Sequence, residues 1–212
     1  MIRITEIFFS IQGESTHAGR PCIFIRLTGC NLRCRYCDTT YAYDSGEDFP
    51  LPEVVSRVAA FGLSRACVTG GEPLLQAEAP ALVSALLDSG MEVLVETNGT
   101  VPLDRLDRRA VKIMDVKCPG SGEERKMLWD NFRHLTGRDE VKFVISSEDD
   151  YRYAKEVVAR YREGNAWTVL LSPAFGFLAP ERLAGWMVGD GLDARFQLQL
   201  HKLVWGPDRR GV

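Results

Sequence analysis

Seven short apolar runs, each separated from the next by polar or helical stretches, constrain this chain more than any other feature: residues 22–28, 66–69, 93–97, 111–116, 141–145, 168–171 and 195–200. Rich in β-branched residues and apolar at nearly every position, they read as strands buried on both faces. Between them, Ala79, Leu82, Val83, Leu86 and Leu87, then Ala154, Val157, Val158 and Tyr161, keep one apolar stripe at helical spacing. Ser147 ahead of Glu148, Asp149 and Asp150 marks a helix start, because a hydroxyl caps free amides there and carboxylates meet the positive end of the helix dipole. Gly90 and Gly164 mark the ends of these two helices.

Strand and helix in alternation, with short connections, predict a parallel sheet with right-handed crossovers. A closed eight-fold barrel takes about 250 residues, and the chain has 212. The expected fold is therefore α/β: a partial, open (β/α) barrel with a short N-terminal strand extension, in a single domain over residues 1–212. Residues 43–52, with Asp44, Ser45, Gly46 and two prolines, are the best boundary candidate. The roughly 40 residues before them are too few for an independent core.

A chain of 23.7 kDa buries about 70% of its surface on folding and needs no staple, so its six cysteines are free for chemistry. A net charge of −3 argues against nucleic acid or an anionic membrane as a partner. No apolar stretch reaches the length of a membrane span, and Glu6 interrupts the start before a signal peptide forms. A cytoplasmic protein is expected.

Three of the six cysteines stand within Gly29-Cys30-Asn31-Leu32-Arg33-Cys34-Arg35-Tyr36-Cys37-Asp38, directly after the run at 22–28. Loops at the C-terminal ends of barrel strands are where chemistry collects. Three thiolates on one short loop can serve a metal centre at little extra entropy cost. A disulfide would leave one thiol over and suits a reducing cytoplasm poorly. Structural zinc wants four ligands, whereas Cys22, Cys67, Cys118, His17, His134 and His201 are scattered. Three cysteines suit a four-iron cluster with one iron left open, and on spacing alone both metals stay in play.

Cys30-x-x-x-Cys34-x-x-Cys37, with Tyr36 beside the last cysteine, resembles the signature of the radical S-adenosylmethionine (SAM) superfamily. Thr69-Gly70-Gly71-Glu72-Pro73, at the end of the next strand, is similar to that superfamily's second mark. The resemblance implies a [4Fe-4S] cluster on Cys30, Cys34 and Cys37, whose open iron takes the amino and carboxylate groups of SAM and whose electron generates a 5′-deoxyadenosyl radical. Gly70 and Gly71 are expected to let backbone approach the methionyl amino group. Gly71, Glu72, Glu96, Asn98, Asp115, Lys117 and Ser172 become cofactor-contact candidates. Against that role stands the capping of strand ends.

Ile11-Gln12-Gly13-Glu14 after an N-terminal apolar strand, Arg26 in the strand before the cysteines, and Gln199-Leu200-His201-Lys202, read as lying on the last strand with Trp205-Gly206-Pro207 beyond it, form a further set. Over residues 4–207 this set resembles the 7-carboxy-7-deazaguanine synthase family of queuosine precursor biosynthesis. The resemblance implies conversion of 6-carboxy-5,6,7,8-tetrahydropterin to 7-carboxy-7-deazaguanine with loss of ammonia, catalytic use of SAM, and Mg²⁺. Ile11, Gln12, Gly13 and Glu14 would meet the polar edge of the pterin, and Arg26 would pair with its carboxylate. Thr69, His201 and Pro207 are further substrate candidates, and Thr39 is the Mg²⁺ candidate. Implied partners are a flavodoxin or ferredoxin electron donor and a second copy in a homodimer. In some members the chain ends at the proline aligned with Pro207, whose carboxylate touches substrate; here five residues follow, leaving that contact open. No general acid or base is assigned. A glycyl-radical-enzyme activase shares both motifs but lacks the Gln12–Glu14, Arg26 and His201-Lys202 set, and a zinc-stabilised binding module is the reading from a different class.

Overall fold

In the computed structural model, which describes residues 1–164 and 166–212, the runs of β-branched residues pair into one sheet with the order β3-β1-β2-β4-β5-β6-β7-β8-β9. β1 (Ile2–Ile11) forms an antiparallel pair with β2 (Pro21–Leu27), and β3 (Glu47–Phe49) adds antiparallel to β1. From β2 onward the pairing is parallel through β4 (Arg65–Gly70), β5 (Glu92–Thr97), β6 (Val111–Asp115), β7 (Glu140–Ile145), β8 (Thr168–Pro173) and β9 (Arg195–Phe196). The sheet does not close on itself, as expected of an open barrel. No helix among the described residues is long and apolar enough to cross a membrane.

Period-two alternation sorts each strand onto two faces. Ile23, Ile25, Ala66, Val68, Val93, Val95, Val141, Phe143, Val169 and Leu171 form the outer face and pack against helices in one cluster. Those helices are α1 (Leu51–Ala59), α2 (Ala79–Asp88), α3 (Glu148–Tyr161) and α4 (Pro180–Asp190). The predicted stripe of α2 is buried through Leu82, Val83 and Leu86, and that of α3 through Ala154, Val157 and Val158. Ser147 caps α3 by accepting from Asp150 N, as the sequence predicts. Gly90 (φ +88°) follows α2 and Gly164 (φ +75°) follows α3, both in the left-handed region that a helix exit uses. The prolines in the first turns of α1 and α4 preset the backbone angle there.

On the inner face Cys22, Phe24, Cys67, Leu94, Val111 and Ile113 make a separate apolar floor, with Phe8 against it. Above the floor the same face turns polar.

The last predicted strand, 195–200, is corrected. β9 stops at Phe196, and Leu200–Trp205 is a helix, α5, so Gln199 through Lys202 do not lie on a strand. Among the described residues β9 pairs with β8 alone; Gln197 N still donates to Leu171 O at 2.9 Å, and three residues later Leu200 N donates to Gly13 O at 2.9 Å. Residues 43–52 hold no linker: they contain β3 and run into α1.

One buried ion pair ties β6 to the turn before β7. Lys112 Nζ lies 3.1 Å from Asp139 Oδ2 with both side chains sealed from water, and the same carboxylate accepts from Lys112 N and Thr136 N. Removing one member strands the other charge, which costs about 3–5 kcal/mol, whereas an apolar isostere of the pair is near neutral. Asp139→Ala should therefore lower unfolding free energy by about that amount in a denaturant titration. The double change Asp139→Ala with Lys112→Met should recover part of it, and a double variant weaker than the single would contradict the assignment.

Candidate active site

A cavity of about 780 Å³ opens over the apolar floor at the C-terminal ends of the parallel strands. Its first wall is the loop after β2. Gly29 turns it with φ +105°, Leu32 anchors it in the core, and Arg33 N and Arg35 N are fastened to Glu123 Oε1 and Ser121 O. Tyr36 OH donates to Val144 O at 3.2 Å on β7. Arg33 stacks on Tyr43 at 4.1 Å and donates to Cys30 O and Leu32 O.

So held, Cys30, Cys34 and Cys37 all face the cavity, partly exposed and without disulfide partners. Burial raises the Cys30 thiol and pushes Cys34 up to about 11, so a cation is what would ionise them. Among the described residues no three His, Cys, Asp or Glu side chains meet around one point as a single ion requires. In a polynuclear cluster each sulfur takes a different iron, so three thiols need not meet around one point.

The ends of β4 and β5 back this loop. A Cβ on Gly71 would meet Gly29 O at 2.4 Å and Cys30 Cβ at 2.5 Å, and one on Gly70 would meet Leu27 O at 2.3 Å. These glycines are thus required by the packing of strand ends against the cysteine loop, a stronger constraint than the open approach to a ligand expected from sequence. Glu72 N donates to Gly29 O at 2.8 Å. Its carboxylate, wholly buried, accepts from Leu74 N, Thr97 Oγ1 and Asn98 N. Glu72 does not line the cavity; it positions Asn98, whose Nδ2 reaches Asn31 Oδ1 at 3.1 Å and Cys30 Sγ at 3.9 Å.

The polar tier forms the second wall. Glu96 accepts from Gln12 Nε2 (3.2 Å) and Thr69 Oγ1 (2.9 Å). Asp115 Oδ2 lies 3.0 Å from Lys117 and 3.5 Å from Lys142, while its Oδ1 is buried without a partner. Ser172 and Asn98 line the cavity beside Asp115. Lys142 Nζ reaches Glu14 Oε2 at 2.8 Å, and Gln199 Nε2 bridges Glu14 (2.9 Å) and Asp38 (3.1 Å). Burial works against both carboxylates, yet Lys142 holds Glu14 below the usual range and Lys117 and Lys142 do the same for Asp115. Lys202 pairs with Asp38 at 2.5 Å, docking α5 onto the cysteine loop.

Gly13 packs against the His201 ring, since a Cβ there would lie 2.2 Å from Nδ1. Burial lowers the His201 pKa, leaving a neutral ring at pH 7. Arg26 faces the cavity and is no surface charge, but its Nε is already bonded to Glu6 Oε1 at 2.7 Å, an oxygen that also accepts from Tyr41 OH. Thr39 lines the cavity and donates to Asp38 Oδ1.

Every residue singled out from sequence, Ile11 and Pro207 included, borders this one space except Glu72. Residues 208–212 border it too, with Arg210 over the Tyr41 ring at 4.1 Å. Sequence reasoning missed Glu6, Asp38, Tyr41 and Lys142. Lys142 carried a signal, being a charge in the middle of an apolar run; Glu6 faces Arg26 only through the β1–β2 register.

Comparison with known proteins agrees with this geometry. The model of the radical SAM superfamily matches residues 24–175. A protein of Chlorobaculum tepidum named 7-carboxy-7-deazaguanine synthase is 47% identical, covering 100% of this chain and 97% of its own. One of the same name from Koribacter versatilis is 42% identical with 100% of both covered. The crystal structure of QueE from Escherichia coli matches in fold with a TM-score of 0.79 over 94% of each chain, at 21% identity.

Gly71→Ala should damage the cysteine loop selectively. After anaerobic reconstitution its iron content and visible absorbance should fall well below wild type while far-ultraviolet circular dichroism is unchanged. Full iron loading would show that the loop yields easily.

Proposed function

The chain belongs to the radical SAM superfamily and, within it, to the 7-carboxy-7-deazaguanine synthases, and from that membership we propose that its cavity converts 6-carboxy-5,6,7,8-tetrahydropterin to 7-carboxy-7-deazaguanine with loss of ammonia, as a lyase of queuosine biosynthesis. The observation that carries this is the meeting, in one cavity, of the three-cysteine loop with Gln12, Glu14 and His201. A glycyl-radical activase would have no use for that second cluster, and a zinc-stabilised module would have no use for the cavity.

Cys30, Cys34 and Cys37 would hold the [4Fe-4S] cluster, and Asn98, Asp115, Lys117 and Ser172 would contact SAM. When bound, cluster and SAM supply the carbon radical that takes hydrogen from the substrate. The remaining work falls to side chains. Glu14, kept ionised by Lys142, accepts from the 2-amino and ring N–H donors of the pterin, a pairing that a neutral acid could not make in full. Gln12 and Thr69, both already bonded to Glu96, border the same edge. Arg26 keeps its terminal nitrogens for the substrate carboxylate while Glu6 fixes its orientation. Neutral His201 offers one donor and one acceptor, with Gly13 letting it lie close to the backbone. Thr39 would offer its hydroxyl to Mg²⁺, an ion that takes oxygen ligands. Asp38 next to it is committed to Lys202. Because residues follow Pro207, it offers a peptide carbonyl in place of a terminal carboxylate. The electron comes from a reducing partner, a flavodoxin or ferredoxin in this reading.

Reconstituted protein given carboxytetrahydropterin, SAM, Mg²⁺ and a low-potential reductant should produce the deazaguanine chromophore over many turnovers with SAM undiminished. Consumption of one SAM per event, or no chromophore, would overturn the assignment. Cys34→Ala should abolish turnover, with circular dichroism and the denaturation midpoint near wild type, because the core forms without the cluster.

A further inference from the structure

Among the described residues Lys142 is the one cation that pairs with both Glu14 and Asp115. It rises from the inner face of β7, paired in register with Asp115 on β6, and its side chain is only 12% exposed. On one side it meets Glu14 at 2.8 Å, 128 residues away in sequence; on the other it meets Asp115 at 3.5 Å. An ammonium in such a place has three donors and little water, so its direction is fixed by the carboxylates it serves. Its pKa lies well above the usual lysine value, because the attraction of Glu14, Asp115 and Glu96 outweighs the effect of burial. A group held so firmly in its charged form is a poor proton donor and a good fixed charge.

We propose that Lys142 is a positioning residue that links substrate recognition to the cofactor side: it holds Glu14 as an oriented carboxylate for the N–H edge of the pterin and, together with Lys117, holds Asp115 through Oδ2. The proposal rests on the reading above in which Glu14 meets the pterin. It gives the enzyme a specificity rule, since a carboxylate accepts from two adjacent donors and therefore selects a 2-amino-4-oxo ring over one lacking the amino group. The other groups facing Glu14 cannot replace Lys142. Gln199 is neutral, His201 is neutral at pH 7, and Asp38 repels. Lys117 serves Asp115 and makes no contact with Glu14 among the described residues.

Binding, without turnover, tests this. Holoprotein with SAM and no reductant is titrated with oxidised 6-carboxypterin, followed by the pterin fluorescence. Lys142→Met should weaken binding at least about tenfold, the scale for truncating one partner of a buried charge pair. Glu14→Gln should weaken it similarly, and the double variant should be little worse than either single one, because both remove the same interaction. Lys142→Arg, keeping the charge, should recover most of the affinity. In Lys142→Met the buried Glu14 loses its cation and its pKa rises, so raising the pH by about one unit should restore part of the binding there and none in Glu14→Gln. Lys142→Met binding as wild type, or losses that simply multiply in the double variant, would overturn the proposal with the Glu14 reading intact. Wild-type binding by Glu14→Gln would instead overturn that reading and the proposal with it.

Discussion

Parallel strands in register are the constraint from which the site follows. Register aligns side chains across neighbouring strands, so one face of the sheet is built in tiers: Cys67 beside Phe24 and Leu94, then Thr69 beside Arg26, then Asp115 beside Lys142. A polar residue two positions beyond an apolar one on the same strand therefore lands one tier higher, at the mouth. Phe24 to Arg26, Cys67 to Thr69, Leu94 to Glu96 and Ile113 to Asp115 repeat this step on four strands. The apolar tier is dry and supports the polar one, whose charges gain strength from the low dielectric beneath them.

An open barrel leaves its interior to be filled by something other than a strand, and here the loop after β1 does it. Thr16 bonds to Glu140, Ser15 N to Gln197 Oε1 and Gly13 O to Leu200 N, so residues 13–16 reach from β1 across to β7 and the segment after β9. Ser15 takes a positive φ of 70° while buried, an unusual cost for a residue with a side chain. The same loop carries Gln12 and Glu14. Filling the interior and reading the ligand edge are thus one task, and 212 residues suffice without a closing strand.

What was legible in the sequence was what depends on local pattern. Strands 22–28 through 168–171 showed because burial on both faces leaves a continuous apolar run, and the cysteine loop showed because its ligands sit within eight residues. Relations set by pairing were hidden. Glu6 meets Arg26 only after β1 folds back on β2 with a shift in register between Ile4 and Glu6. Residues 195–200 carried a strand pattern, but an edge strand has one neighbour, and past Gln197 the chain leaves β8, bonds Leu200 N to Gly13 O and enters α5. Glu72 sat in the motif, and its carboxylate turns inward to accept from Asn98 N and Thr97 Oγ1, a direction that composition does not encode.

Four cations of the cavity are paired before any ligand arrives: Arg26 with Glu6, Lys202 with Asp38, and Lys117 and Lys142 with Asp115 and Glu14. Unpaired, any of these would carry a desolvation cost of several kcal/mol or would neutralise. Paired, each is oriented by its partner, so a ligand meets dipoles already in place and little reorganisation is needed. The balance also explains why few single residues stand out by charge alone. An anionic ligand group arriving at Arg26 meets an ion pair, and its recognition then depends on the direction of the free guanidinium N–H groups more than on net attraction. That direction is set by Glu6, which holds Arg26 Nε at 2.7 Å.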